Sequence, residues 1–484
     1  MSLRNQALSG FRWTAGARLT SQLITWSITL IVIRILSPAD YGLLAMATVF
    51  VSLLAMFSEL GLGAAVVQRK ELDDQLVRRV FGVVLLVHLA LAALLALSAP
   101  LLGMFYQEPR VVPVLRVLAC QFVLAGFAVV PDALLQRRME FRNRSLLDLG
   151  AAILTSLTTL GLAVAGAGVW ALVAGSLLGQ LCRTVGLNLI SPYFKRPDFT
   201  LSGMRPLLRF GGQMTASQLL WMAFSQADIL ICAKILGNEV LGFYTVAMHL
   251  ASLPNQRISG LVNQVAFPAF SSMQHDHQRV GANMLLGARI LSFVAFPILW
   301  GLSSVAPEVV AAVLGEKWVP AVGILQAIAL IMPLRMIGNF VQVANQGIGR
   351  SDVILRNAVW ALVIGPIAFF IGARWGGLQG LALAWLAVSP LVFLQVTLRG
   401  LPTLGLRWSA LIQAMLPTVV AAVLMFSIVM LARHAFGEAL PLAVRLGGLI
   451  GVGAAAYLAA TWMFNRRGLN EVLDLVRGLR KAKG

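Results

Sequence analysis

The sequence predicts an all-α polytopic membrane protein of about fourteen transmembrane helices: two six-helix lobes followed by two C-terminal helices. Composition is the first observation behind this. Of the 484 residues 59% are hydrophobic and only 12% charged, with a mean hydropathy of +0.84, whereas soluble domains carry about 25% charged residues. The second is a series of apolar runs long enough to cross a bilayer, since about 20 helical residues at 1.5 Å each cover the hydrocarbon core. The third is an internal repeat. Arg34-Ile35-Leu36, Gly42 and Ala47 recur 200 residues on as Lys234-Ile235-Leu236, Gly242 and Ala247, and Ser21-Gln22 has a counterpart in Ser217-Gln218.

Taken in order, the runs bounded by charge, Pro or Gly are 13–35, 41–67, 80–105, 111–135, 145–167 and 169–190, then 207–236, 239–267, 285–306, 320–346, 353–373 and 377–398, and finally 410–432 and 441–464. The polar start Met1–Gly10 precedes a run too long for a cleaved signal, so the first helix is expected to be retained. The repeat groups the first six runs as an N-terminal lobe, residues 1–206, and the next six as a C-terminal lobe, residues 207–400. Because each unit holds six crossings, the two enter the membrane in the same orientation and are related by an axis along its normal. Residues 401–464 hold the two helices outside the repeat, and 465–484 form a basic tail suited to lying on the membrane as an amphipathic helix. Pro131, Pro254, Pro297, Pro333 and Pro366 are expected to interrupt their helices.

The formal charge is +19, but the basic residues are scattered between apolar runs, which fits a membrane surface and argues against a nucleic-acid partner. An even number of crossings puts both termini on one side. That face carries 27 Lys and Arg against 7 on the other, so both termini are expected in the cytoplasm. Cys120, Cys182 and Cys232 have neither paired spacing nor nearby ligands, and no metal site or disulfide frame is argued. No loop exceeds about 20 residues, leaving no room for a soluble catalytic domain, and no ATP-binding motif is present.

Polar stripes mark the chemistry. Arg18, Gln22, Thr25 and Thr29 recur at helical spacing on the first helix, and Arg335, Asn339, Gln342 and Gln346 repeat that spacing on the tenth. The seventh carries Gln213, Ser217, Trp221 and Asp228, and the eighth His249, Gln256, Gly260 and Asn263 with Arg257 beside them. Such stripes cannot face lipid cheaply and imply a polar cavity. At the expected orientation Arg18, Arg257 and Arg335 fall in the cytoplasmic half or near the midplane, and guanidinium forks match phosphate oxygens, so a diphosphate site is expected. Other readings stand beside it. Arg18 is placed where a helix-end side chain would snorkel, and Arg257 is placed to pair with Glu59. Asp228 suits either a structural hydrogen bond or proton coupling. Arg116, Arg183, Lys234 and Arg445 read as interfacial snorkels.

Ser2-Leu3-Arg4 with Ser9-Gly10 and Trp13, Glu59-Leu60-Gly61 leading to Val67-Gln68-Arg69-Lys70-Glu71, Leu208-Arg209-Phe210-Gly211, Phe267-Pro268-Ala269-Phe270, and Gly315-Glu316-Lys317-Trp318 with Leu325-Gln326 together resemble the Wzx-type polysaccharide and O-antigen flippases. These form a branch of the multidrug/oligosaccharidyl-lipid/polysaccharide superfamily, and the likeness is to colanic-acid and teichuronic-acid exporters. It implies two six-helix lobes in a V, then two further helices. It also implies a substrate, an undecaprenyl-diphosphate-linked oligosaccharide repeat unit moved across the bacterial inner membrane for exopolysaccharide or lipopolysaccharide assembly. Arg18 and Arg257 match the location of cavity-lining basic residues in the superfamily, and Asp228 matches an acidic position of this branch. Glu59 stands where the peptidoglycan-precursor flippases carry a central Arg, which weighs against that substrate.

The expectation is therefore a transporter working by alternating access, not an enzyme. Arg18, Arg257 and Arg335 would hold the diphosphate. Gln22, Gln256, Asn263, Asn339 and Gln342 would bond sugar hydroxyls, and Trp221 would stack on a sugar face. With no cofactor, a proton or sodium gradient would drive the cycle through Asp228 or Glu59. Partners would be the lipid-linked oligosaccharide, membrane lipids, and a polysaccharide polymerase and chain-length regulator, with the chain acting as a monomer. The alternatives are a multidrug or metabolite cation antiporter of the same superfamily, and an envelope glycan polymerase or ligase, which would need a larger outer loop.

Overall fold

The computed structural model describes residues 25–58, 73–193, 195–200, 225–436 and 440–481. Helix dominates these residues. In chain order they form α1 (Thr25–Ile35), α2 (Pro38–Ser58), α3 (Asp74–Tyr106), α4 (Val111–Arg137), α5 (Phe141–Val164), α6 (Val169–Ile190) and α7 (Ala227–Ser272). There follow α8 (His277–Ser304), α9 (Val322–Gly347), α10 (Ser351–Gly400), α11 (Trp408–Phe436), α12 (Leu442–Phe464) and α13 (Arg466–Lys481). Eleven of the described helical stretches are long and apolar enough to cross a membrane. Each of the fourteen expected runs coincides with helix over at least part of its length.

Helix ends follow local chemistry. Asp73 caps α3, its carboxylate accepting from the Gln75 backbone N–H at 3.2 Å, and Asp276 caps α8 by accepting from Arg279 N–H at 2.9 Å. Each satisfies a backbone donor that the first turn leaves open. The expected interruptions at Pro131, Pro254, Pro297, Pro333 and Pro366 are not breaks: all five lie inside continuous helices. A proline removes one backbone donor, and membrane helices tolerate this when neighbours re-satisfy the freed carbonyl. The breaks fall at glycine instead. Gly237 (φ 80) divides α7 and Gly377 (φ 57) divides α10, in left-handed backbone that costs a Cβ-bearing residue dearly. Across Gly377 the two arms of α10 run antiparallel, with Gln395 donating to Asn357 at 3.1 Å and the Phe369 and Trp385 rings 4.7 Å apart.

Two compact units divide the chain, Met1–Gly242 and Phe243–Gly484. In the first, Val80, Phe81, Val84 and Leu85 of α3 pack on Val130 and Ala133 of α4 and on Tyr193 beyond α6. Small residues bring α5 and α6 close together, with Thr159 and Thr155 lodged against Gly175 and Gly179. Arg183 departs from its expected role as a snorkel. It pairs with Asp148 at 3.0 Å and with Asp132 at 3.4 Å, and Asp132 also holds Arg144 at 2.8 Å. A carboxylate on a neighbouring helix competes successfully with the headgroup layer for the guanidinium.

The repeat also meets itself in this unit. A Cβ on Gly42 would lie 1.6 Å from the Asn238 carbonyl oxygen, and a Cβ on Gly242 would lie 1.8 Å from that of Pro38. Positions 38 and 42 thus meet 238 and 242 reciprocally, and only glycine admits so near an approach of two backbones.

In the second unit Val305, just past α8, packs with Ala421, Met425 and Val429 of α11 and Leu449 and Tyr457 of α12. Arg445, expected as a snorkel, instead joins Arg433 on the buried carboxylate of Glu308. The amphipathic helix expected in the tail forms as α13, and Glu471 on it accepts from Arg289 of α8 at 2.9 Å.

Candidate functional site

Arg18, Gln22, Glu59 and Trp221 lie outside the described residues. Arg257 and Asn263 lie on the backbone of α7, their side chains outside the description. Those that are described fall on three helical stretches.

Asp228 opens α7. Its side chain is 4% exposed and accepts from the Ile229 backbone N–H at 2.9 Å. Further along α7, beyond Gly237, aromatic packing pins both ends of the long arm. Phe243 meets Trp318 with ring centroids 5.9 Å apart, and Phe270 meets Phe340 of α9 at 5.7 Å. Between these anchors His249 and Gln256 are exposed, two turns apart on one face. Ser252 joins them, donating to the His249 carbonyl at 2.9 Å and accepting from the Gln256 amide at 3.2 Å. A helix of this length and apolarity therefore presents one accessible polar face.

An adjoining face of the same stretch is apolar. Leu250, Leu253 and Pro254 line a cavity of about 670 Å³ completed by α8, α11 and α12. Ile298, Ile450 and Leu458 on its rim are exposed, so it opens at the side of the unit. Polar and hydrocarbon surfaces thus stand side by side on one helix.

The stripe on α9 is realised as spaced. Arg335 and Gln342 are half-buried and Asn339 and Gln346 exposed, on a helix whose remaining faces are largely buried. The Arg335 guanidinium stands 4.7 Å from the centre of the Trp385 ring, and the Trp385 indole N–H donates to the Tyr244 hydroxyl at 2.9 Å. An aromatic face attracts a cation by about 0.5–2 kcal/mol without neutralising it. The platform therefore orients the guanidinium.

Sequence reasoning found Arg335 but not Trp385 or Tyr244. Both are ordinary aromatic residues of apolar runs, 50 and 91 positions away, and no local spacing ties them to an arginine. Ser252 was legible in principle as the middle member of the His249 to Gln256 face.

With this geometry in hand, the chain compares as follows with known proteins. It is 27% identical over 395 residues to the lipopolysaccharide biosynthesis protein WzxC of Escherichia coli (strain K12), covering 80% of each. It is 28% identical over 456 residues to the succinoglycan biosynthesis transport protein ExoT of Rhizobium meliloti (strain 1021), covering 92% of this chain and 91% of that protein. Among solved structures it resembles the lipid II flippase MurJ in an inward closed conformation, with a TM-score of 0.76, 14% identity, and coverage of 94% and 99%. A multidrug resistance MATE family transporter in an inward-facing conformation gives 0.62 at 17% identity, covering 79% and 95%. These two likenesses concern the fold. The family match runs over residues 31–323, more than half of the sequence, and the chain belongs to the polysaccharide biosynthesis protein family.

Proposed function

We propose that this protein is a flippase that moves undecaprenyl-diphosphate-linked oligosaccharide repeat units across the bacterial inner membrane, with both termini in the cytoplasm. The observation that carries this reading is the two-sided stretch 249–256 of α7: His249, Ser252 and Gln256 accessible on one face, the apolar cavity on the adjoining one. A substrate with a sugar and diphosphate head on a long polyprenyl tail needs such a pair of surfaces side by side. A small hydrophilic solute would need only the first. The relatives named for lipopolysaccharide and succinoglycan biosynthesis agree with the glycan part of this substrate.

Arg335, held over Trp385, and Arg257 and Arg18 would grip the diphosphate, while Gln22, Gln256, Asn263 and Asn339 bond sugar hydroxyls and Trp221 stacks on a sugar face. The cycle exposes these groups to one side of the membrane and then the other. A proton or sodium gradient drives it, with Asp228 or Glu59 as the titrating carboxylate. The chain acts as a monomer and hands its product to a polysaccharide polymerase and chain-length regulator.

The test is translocation of a fluorescent undecaprenyl-diphosphate oligosaccharide in proteoliposomes, wild type beside Arg257→Ala. Movement by wild type and loss in the variant supports the reading. If wild type leaves the lipid in place yet exchanges a small organic cation for protons, the reading is overturned in favour of a cation antiporter. If collapsing both ion gradients leaves net transport unchanged, the coupling step is wrong while the flippase reading survives.

A further inference from the structure

The second unit carries a basic cleft that has no part in the pathway just described. Where α9 gives way to α10, a cavity of about 550 Å³ is lined by Arg350, Asp352, Arg356, Trp360, Arg399 and Thr403, among others. Arg350 is consumed within it, pairing with Asp352 through two bonds of 2.9 and 3.0 Å. Arg356 and Arg399 form no ion pair among the described residues. The Arg399 guanidinium instead stands 5.4 Å from the centre of the Trp360 ring, an arrangement that fixes its position and keeps its charge. The cleft thus offers two uncancelled guanidinium groups.

Depth places these charges at a membrane surface. Arg356 lies 20 residues from Gly376 on the first arm of α10, and Arg399 lies 22 from Gly377 on the second. At 1.5 Å per residue both stand about 30 Å from the tip of the hairpin, one hydrocarbon thickness away. Trp360, one turn deeper than Arg356, suits the interfacial belt. From the cleft an exposed apolar stripe descends along the first arm through Leu355, Val359, Val363, Ile367 and Ile371. A stripe of this length with no polar residue in it is made to lie against hydrocarbon.

We propose that this cleft binds the phosphate headgroup of an anionic glycerophospholipid, whose acyl chains lie along the Leu355 to Ile371 stripe. Charge complementarity selects the anion, and the continuous stripe selects a lipid over free phosphate. The carrier lipid's oligosaccharide head fits less well. Besides its charged groups the lining offers only two polar side-chain groups, the Trp360 indole N–H and the Thr403 hydroxyl, the latter already engaged with Asn345 Oδ1 at 2.6 Å and with the Gly400 carbonyl at 2.7 Å. The Arg-rich end of the hairpin is the one that the basic-residue bias assigns to the cytoplasmic leaflet, where anionic headgroups are attracted to such sites.

The test is native mass spectrometry of the full chain in detergent, titrated with phosphatidylglycerol or phosphatidylcholine, for wild type and Arg356→Ala/Arg399→Ala. Wild type is expected to retain phosphatidylglycerol about tenfold better than phosphatidylcholine, and the double variant to lose that preference. Inorganic phosphate at millimolar concentration should not displace the lipid. Equal preference in wild type and variant overturns the proposal, as does displacement by phosphate alone. So does undecaprenyl diphosphate displacing phosphatidylglycerol from wild type but not binding the variant, which would make the cleft a carrier-lipid site. Trp360→Leu, which leaves both charges in place, should weaken retention several-fold and serves if the double variant fails to fold.

Discussion

Arg433 donates from Nε to Oε1 of Glu308 at 2.8 Å, joining the end of α11 to the short helical turn that follows α8. Arg445, at the start of α12, binds the same oxygen. Glu308 is 1% exposed, and its second oxygen is buried without a hydrogen-bond partner among the described residues. One carboxylate therefore fastens α11 and α12 to the turn that follows α8. Removing it leaves two guanidinium groups facing each other in a poorly solvated place. Glu308→Ala is expected to destabilise the fold by roughly 3 kcal/mol, toward the low end for buried pairs because both arginines keep some solvent contact. Thermal unfolding in detergent reads this directly. Replacing all three residues by Met should recover most of the loss, since an apolar substitute carries no desolvation cost. A Glu308→Ala midpoint equal to wild type would show that the charges do not hold α11 and α12.

Gly42 and Gly242 make a second, separable prediction. Because each seats the backbone of the other's helix, a methyl at either position must push the same two segments apart. Gly42→Ala and Gly242→Ala should each cost about 1–3 kcal/mol by overpacking. Once one methyl has opened the approach, the other meets less resistance, so the double variant should cost clearly less than the sum. Strict additivity in thermal unfolding would mean that the two positions do not share one contact.

The same two glycines show how far the sequence could be read. Their place in a 200-residue repeat was visible, as were the helices, because apolar runs bounded by charge report crossings directly. The break at Gly237 lay in the gap between two expected runs, and the break at Gly377 fell on the first residue of the run 377–398. Polar stripes at helical spacing on α7 and α9 were legible for the same reason of periodicity. Partner choice was not. Arg183, Arg433 and Arg445 find carboxylates 35 to 137 positions away, and Arg335 finds Trp385 across 50. Spacing along one helix cannot say which neighbour a charged side chain will reach, so Arg183 and Arg445, which looked like interfacial snorkels, proved to be ion-pair members.

The segment after α6 gives a prediction on pH. Asp198 accepts from the Thr200 hydroxyl at 2.6 Å and backbone N–H at 3.0 Å, and pairs with Arg79 of α3 at 3.3 Å. The Thr200 hydroxyl first, then the Thr200 backbone N–H and the Arg79 guanidinium, hold its carboxyl below the usual range. A depressed carboxyl pKa contributes stability that is present above the unfolded value, about 3.9, and is lost as pH falls through the folded value. Protease protection of residues 195–200 is therefore expected to be constant from neutral pH down to about 4 and to fall below that. Asp198→Asn should show the low-pH susceptibility at neutral pH. Equal protection of variant and wild type at pH 7 would show that the Asp198 carboxylate does not hold this segment.

Arg335 and Trp385 allow binding to be separated from orientation. If the guanidinium holds a phosphate oxygen, Arg335→Ala loses a charge-assisted contact of about 1.5–3 kcal/mol, or roughly 10- to 100-fold in transport of the lipid-linked oligosaccharide. Arg335→Lys keeps the charge but surrenders the planar fork and the stack on Trp385, and should recover only part of the loss. Trp385→Leu keeps the guanidinium and frees it. It should raise the half-saturating substrate concentration several-fold with a smaller change in maximal rate, because the arginine can still reach the phosphate but spends less time aimed at it. The Tyr244 hydroxyl, which accepts from that indole at 2.9 Å, would lose its donor in the same variant. Tyr244→Phe is the control for that lost hydrogen bond, since it removes the hydroxyl and leaves the ring under Arg335 in place. Near-normal transport by Tyr244→Phe beside impaired Trp385→Leu would assign the effect to the cation held over the ring. Wild-type transport by Arg335→Ala would show that this arginine holds Trp385 in place and nothing more.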